Sequence, residues 1–426
     1  MTPQIHIKQG RVIDPANNID QVQDLFIAEG KILALATAPE GFQATHEIDA
    51  KGMIVCPGLI DLCANLREPG QEYKATIRSE AKAAVAAGIT TLCCPPDTNP
   101  VIDTPAVLEL IKQRAEDAGA ARVIGIGALT RNLQGTELSE MVALKTAGCQ
   151  ALSNQRGCTE NIQVVRLAME YAASFNITLF LHAEDPCLAD NGCAHEGRIA
   201  TRLGLPAIPT AAETAAIAQY LALIEETGVR AHFCRLSTRR AAQMVARAHY
   251  EGLPVSADVA IHQLFLSEMD IAEFDPQCHV RPPLRTQRDR DSLRTAVADG
   301  VIAAICSDHQ PHEADAKLTP FPATEAGISG IDTLLGLGLK LVEENILDLN
   351  TMIERMTVGP AKILGLAAGE LQPGQVADIC IFDPQQDWIL NDKTMLSQGK
   401  NTPFMGWEFR GKVHYTLVDG AIVHQL

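Results

Sequence analysis

The chain has 426 residues, 46% hydrophobic and 20% charged, with a formal net charge of −17 and a pI near 5.1. This length excludes one small core and predicts a large barrel with an accessory domain, or two to three domains. The acidic balance argues against a nucleic-acid binder, which needs a basic face. It also gives no help in attracting an anion, so any anion site must be built locally. The opening MTPQIHIKQGRV has no basic segment leading into an apolar one, and no run approaches the ~18 apolar residues of a membrane span, so a cytoplasmic protein is expected. The twelve cysteines, with no matched CxxC pairs, read as reduced, buried small side chains.

Residues 1–53 read as short strands and turns. QIHIKQGRVID alternates polar and apolar, PANN is a turn, and DLFIAEGKILALA is a hairpin around Glu29-Gly30. From 54 to 364 the texture changes to alternating strand-like and Ala-rich helical runs. TIRSEAKAAVAAGI, TPAVLELIKQRAEDAG, NIQVVRLAMEYAASFN, TAAIAQYLALIEETG, TRRAAQMVARAHYEG and DSLRTAVADG read as helices. Between them TTLCCPP, ARVIGIGAL, ITLFLHAED, VRAHFCRLS, LPVSADVAI and VIAAICSDHQPHE read as extended. About eight such β-α units fit an α/β (β/α)8 barrel of TIM type. A doubly wound sheet is disfavoured because no GxGxxG follows the early strands. Residues 365–426 return to strands, with Asp419-Gly420 as a tight turn signal. Residues 1–53 plus 365–426 are therefore expected to form one small β domain, of sandwich type, beside a barrel over 54–364.

The strand ends carry specific wording. PGLID, LREPG, EYK, CPPDTNP, LHAEDP, SDHQPHE, GISGIDT, GPAKILGL, LQPGQVADICIFDP and KNTPFMGWEFRGKV occur in order along the whole chain. Together they closely resemble the class I dihydroorotases of the amidohydrolase superfamily. The resemblance implies a distorted TIM-type barrel of the metallo-dependent hydrolase kind, flanked by a β domain from both termini. It also implies a zinc site, and here this chain departs. The two histidines of DxHxHLREPG are Cys63 and Asn65. The carboxylate of an SDDG-like segment, or a carboxylated lysine in some relatives, faces Asn154 and Gln155 in SNQRG. The histidine of HAED is kept as His182, that of HVST is Arg235, and the aspartate of DHAPH is kept as Asp308. Of the substrate contacts, Arg67 and His312 are kept, whereas asparagines of the family read Asp97 and Arg281.

Zinc catalysis needs at least three N, S or O ligands and one open position, so that bound water ionises near neutral pH. CxN in place of HxH leaves one possible thiolate and a weak amide. Arg235 does more damage, because a guanidinium is always protonated. At 4 Å and an effective dielectric of ~20 it would repel a divalent ion by about 8 kcal/mol. Arg235 is expected instead to pair with Asp308 and fill the metal cavity. Arg67 binds an anion or pairs with Glu68 or Asp61. His309 and His312 read as inherited structural contacts, and His195-Glu196 as the remnant of a loop.

These departures lead to the expectation of a catalytically inactive dihydroorotase homologue, not an enzyme, with no cofactor. The resemblance then implies a non-catalytic structural subunit of an aspartate transcarbamoylase complex in pyrimidine biosynthesis. Its partner would be the aspartate transcarbamoylase catalytic chain, in a hetero-oligomer. The alternative is an active zinc-dependent dihydroorotase, or another cyclic amidohydrolase with a degenerate metal site, using Cys63, His182 and Asp308. A third reading is a sensor that binds a pyrimidine at Arg67 without turning it over.

Overall fold

A computed structural model describes residues 3–155 and 161–426. Part of the SNQRG segment, residues 156–157, lies outside the described residues. Eight parallel strand positions form the barrel wall. Leu59–Asp61, Ile89–Cys94 and Arg122–Gly125 make one sheet. Gly127–Ala128, Ala151–Ser153, Thr178–His182, Ala231–Cys234, Val255–Ala260 and Ala304–Cys306 make the other, the Arg122–Ala128 position being broken at Ile126. The ring closes where the first and last strand ends meet: Asn65 N–H donates to His309 O at 2.8 Å and His309 N–H to Cys63 O at 3.1 Å.

The crossover helices follow the sequence signals. Thr76 and Ser79 form a capping box at Ile77–Ala86, and Thr286 and Asp289 another at Gln287–Ala298. Arg239–Tyr250 turns Ala241, Ala242, Val245 and Ala248 inward, a helical stripe of small residues that lets the helix lie close to the strands. Thr210–Thr227 begins four residues before the run read as helical. The helices Leu334–Glu343, Leu349–Met356 and Val358–Leu364 complete the ring. Inside the barrel Cys63, Cys93, Phe180, Cys234 and Cys306 pack together. Among the described residues every cysteine except Cys187 is buried, and all are free thiols.

The terminal strands are hydrogen-bonded into one continuous eight-stranded sheet. Ile54–Pro57, assigned by sequence to the barrel, pairs in this sheet with Ile5–Asp14 and Ile379–Ile389. Its four residues are all buried, so it reads as a barrel strand by hydrophobicity alone. Arg122 ties the barrel wall to this sheet through Asp378 at 2.7 Å and Asp419 at 2.8 Å. No helix among the described residues is long and apolar enough to cross a membrane.

Candidate active site

Cys63, Asn65, Asn154, His182, Arg235 and Asp308 all lie at the C-terminal ends of barrel strands, where barrel enzymes carry their chemistry. The backbone there is unusual. Arg67, Gln155, Arg235 and Asp308 have φ of 62°, 43°, 55° and 44°, a region that non-glycine residues seldom occupy. Each turns the chain sharply off its strand and aims a polar side chain across the barrel end.

Arg235 lies at the centre. Its Nη1 donates to Cys63 Sγ at 2.9 Å, Nη2 donates to Gln155 Oε1 at 3.3 Å, and Nε stands 3.5 Å from Asp308 Oδ1. Nη2 is also 3.5 Å from His182 Nδ1. Arg235 and Asp308 are 2% and 1% exposed. Burial opposes the charge on Arg235, but Cys63 and Asp308, then Cys234 and Asp258, outweigh it and raise its pKa further. Burial also pushes the Cys63 thiol well up, against the pull of Arg235. The protonated thiol then donates to Asp308 Oδ1 at 3.5 Å while its sulfur accepts from Arg235. The expected Arg235–Asp308 pair is present, with Cys63 as a third member.

Around this centre the other residues find partners. Asn154 braces His182 by its side chain, accepting from His182 N–H at 2.8 Å and donating to His182 O at 3.1 Å. Asn65 Nδ2 donates to both oxygens of Asp97, at 2.9 and 3.1 Å. Arg281 makes a two-pronged pair with Glu184, its Nε 2.8 Å from Oε1. Glu184 is the residue after HA in HAED, and its partner was not evident from sequence because the two are 97 positions apart.

Arg67 donates from Nε to Pro311 O at 3.0 Å and sets Nη2 3.1 Å from His312 Nε2. Glu68 instead accepts from Ile77 N–H at 2.9 Å, and Asp61 accepts from Ser307 N–H at 2.9 Å. His312 Nε2 lies 3.1 Å from Ala326 O and Nδ1 3.3 Å from Lys74 Nζ. A neutral ring with its proton on Nε2 satisfies both contacts. Burial, Arg67 and Lys74 together hold its pKa down at about 2. His309 is locked between Glu80, 2.9 Å from Nε2, and Gly330 N–H, which donates to Nδ1 at 3.1 Å. His195 lies 3.2 Å from Arg285, away from this cluster.

The strand-end cluster does not fit a divalent ion, since the Arg235 guanidinium lies among Cys63, His182 and Asp308. The layer beneath it does fit by donor type. His232, Cys234 and Asp258 are buried with ligand atoms within 4.8 Å of one another. His232 Nε2 is 2.9 Å from Asp258 Oδ2 and Nδ1 2.8 Å from Ser256 Oγ. Imidazole, thiolate and carboxylate are zinc-type donors. Burial, then Asp258, raises the Cys234 thiol well above its usual range, so an ion must displace that proton to bind. When bound, an ion supplies Lewis-acid polarisation. Sequence reading missed this trio. Its signal was HFC, which points His232 and Cys234 to one face of a strand, beside an isolated Asp258 in the next.

Comparison with known proteins agrees with this architecture. The Dihydro-orotase-like family profile matches residues 52–241. A "Dihydroorotase-like protein" of Pseudomonas putida is 50% identical over 420 residues, covering 99% of each chain. A "Dihydroorotase" of Syntrophus aciditrophicus is 42% identical over 422 residues, again covering 99% of each. Among solved structures, the L-hydantoinase (dihydropyrimidinase) of Arthrobacter aurescens superposes with a TM-score of 0.89 at 22% identity, covering 99% of this chain and 96% of that one.

Two expectations are corrected by these findings. The reading of the chain as not an enzyme does not stand beside full-length relatives named dihydroorotase. The reading that it has no cofactor falls with it, because His232, Cys234 and Asp258 provide a metal-type donor set. Both inferences rested on the replaced ligands at Cys63, Asn65 and Asn154 and above all on Arg235, and those changes are local to the strand ends. The chain belongs to the dihydroorotase-like family, on the amidohydrolase barrel.

Proposed function

We propose that the chain is a cyclic amidohydrolase acting on dihydroorotate or a close carboxylated ring, with an altered strand-end site. The observation that carries this reading is full-length identity of 40–42% to chains named dihydroorotase. The retained Arg67–His312 pair at the barrel end supports it. Arg67 would take the substrate carboxylate, a fork that matches a carboxylate in shape and charge. His312, neutral and donating from Nε2 to Ala326 O, would border the carboxylate site beside Arg67. Asp308 would take a proton from the water that attacks the ring carbonyl and pass it to the ring nitrogen as the C–N bond breaks, its charge balanced by Arg235. Asn65 and Asp97 would line the side of the site where a small recess of about 10 Å³ lies between Arg67 and Asp97.

The resemblance also supports assembly with the aspartate transcarbamoylase catalytic chain. Subunit contacts bury apolar area, and Met269, Phe274 and Leu318 are 51%, 46% and 78% exposed. They lie on two loops joined where His279 meets Thr324 at 2.7 Å. Purified chain incubated with dihydroorotate should yield carbamoyl aspartate, detected by chromatography. Absence of ring opening, with or without the transcarbamoylase chain, would remove the catalytic reading.

A further inference from the structure

Beside the strand-end site, a cavity of about 300 Å³ opens among Tyr73, Lys74, His312, Glu313, Lys317 and Lys400. Lys74 and Lys317 are each 5% exposed. Burying an ammonium is costly unless an opposite charge accompanies it. Among the described residues, the lysine that forms an ion pair is Lys8 with Glu47. None of the three cavity lysines has a carboxylate within 4.0 Å among the described residues. Lys74 Nζ has His312 Nδ1 at 3.3 Å and the Tyr73 ring at 5.8 Å. Lys317 donates to Glu325 O at 2.6 Å and His279 O at 3.5 Å, and Lys400 donates to Met395 O.

The one acid in the lining is Glu313, whose buried Oε2 has no hydrogen bond. With His312 neutral, Lys74, Lys317 and Lys400 face the single lining carboxylate of Glu313. Burial lowers the Lys317 pKa to about 8 against the pull of Cys278, Asp275 and Glu325, so the lining is modestly positive in a chain of net charge −17. The volume lies at the lower end of the roughly 300–1,000 Å³ of small-ligand sites.

We propose that this cavity binds a phosphoryl dianion. Two buried ammonium groups would meet its oxygens from inside, and exposed Lys400 would close on it at the rim. The cavity shares His312 with the site proposed above, but binding of a phosphoryl dianion stands whether or not dihydroorotate is hydrolysed.

Calorimetry on the full-length chain at fixed ionic strength tests it, with inorganic phosphate and glycerol 3-phosphate as probes. Saturable binding of at least one is expected, and the tighter of the two identifies a free ion or an ester as the source. Lys74→Met should weaken binding at least tenfold, Lys400→Gln about threefold, and Glu313→Gln should tighten it. Lys400 is on the surface, so its variant keeps the test open if Lys74→Met fails to fold. No saturable binding of either probe, or binding unchanged in both lysine variants, would overturn the assignment.

Discussion

Arg235 is the residue on which the strand-end site turns. It brings a permanent charge to Cys63, Gln155 and Asp308 in a space closed to solvent. Removing one member of a buried charge pair leaves the other uncompensated, at a cost of about 3–5 kcal/mol. Arg235→Met should therefore lower unfolding free energy by that order in denaturant melts. Adding Asp308→Asn should recover part of it, because the stranded charge is gone. A pair of independent, additive losses would mean that the two side chains do not support each other.

Asp61 gives a pH signature at the same scale. Burial, partly offset by Ser307 and Cys63, raises its pKa to about 6. A carboxyl raised in the folded state favours folding at low pH, and that contribution is lost as pH rises through the folded value. Between about pH 4 and 6 the loss is of order 2–3 kcal/mol. Asp61→Asn keeps the shape and can donate to Ser307 Oγ, so its stability should be flatter over that window. Parallel melts of both proteins from pH 4 to 7 check this, and curves of equal slope would contradict it.

At the scale of elements, the loop after Ala304–Cys306 is the structural hub. It closes the barrel through His309 and Asn65, and reaches Ile77–Ala86 through the buried pair of His309 with Glu80. Burial raises the Glu80 pKa, but its bonds to His309, Ser397 and Gln398 bring it below the usual range. His309→Ala should cost about 3–5 kcal/mol by stranding that carboxylate. A loss under about 1 kcal/mol would show that the loop is held by other contacts.

Much of this element order was readable from sequence, since the Ala-rich runs have helical spacing and good caps at Thr76, Thr238 and Thr286. Short buried strands were harder. Ile54–Pro57 and Ala151–Ser153 have no alternation, because both of their faces are covered. The six strand-end positions were legible through ordered motifs. Their partners were not, because Glu184 with Arg281, Glu80 with His309 and Asn65 with Asp97 are contacts between different barrel units. The His232, Cys234 and Asp258 layer was hidden for the same reason.

For the whole molecule, the terminal sheet and barrel act together through Arg122 and its two acids. The exposed apolar loops around Leu318 are the surface proposed for the transcarbamoylase chain. Leu318→Asp should leave the fold intact by circular dichroism and weaken co-elution with that chain at least tenfold in concentration dependence. Unchanged co-elution would move the contact elsewhere.

The most direct measurement is dihydroorotate ring opening by the purified chain, alone and with the transcarbamoylase chain, compared with Arg67→Met. The account predicts formation of carbamoyl aspartate by the wild type and a loss of at least a hundredfold in kcat/KM in the variant, with its melting behaviour unchanged. No product from the wild type in either setting, or equal turnover by the folded variant, would contradict it.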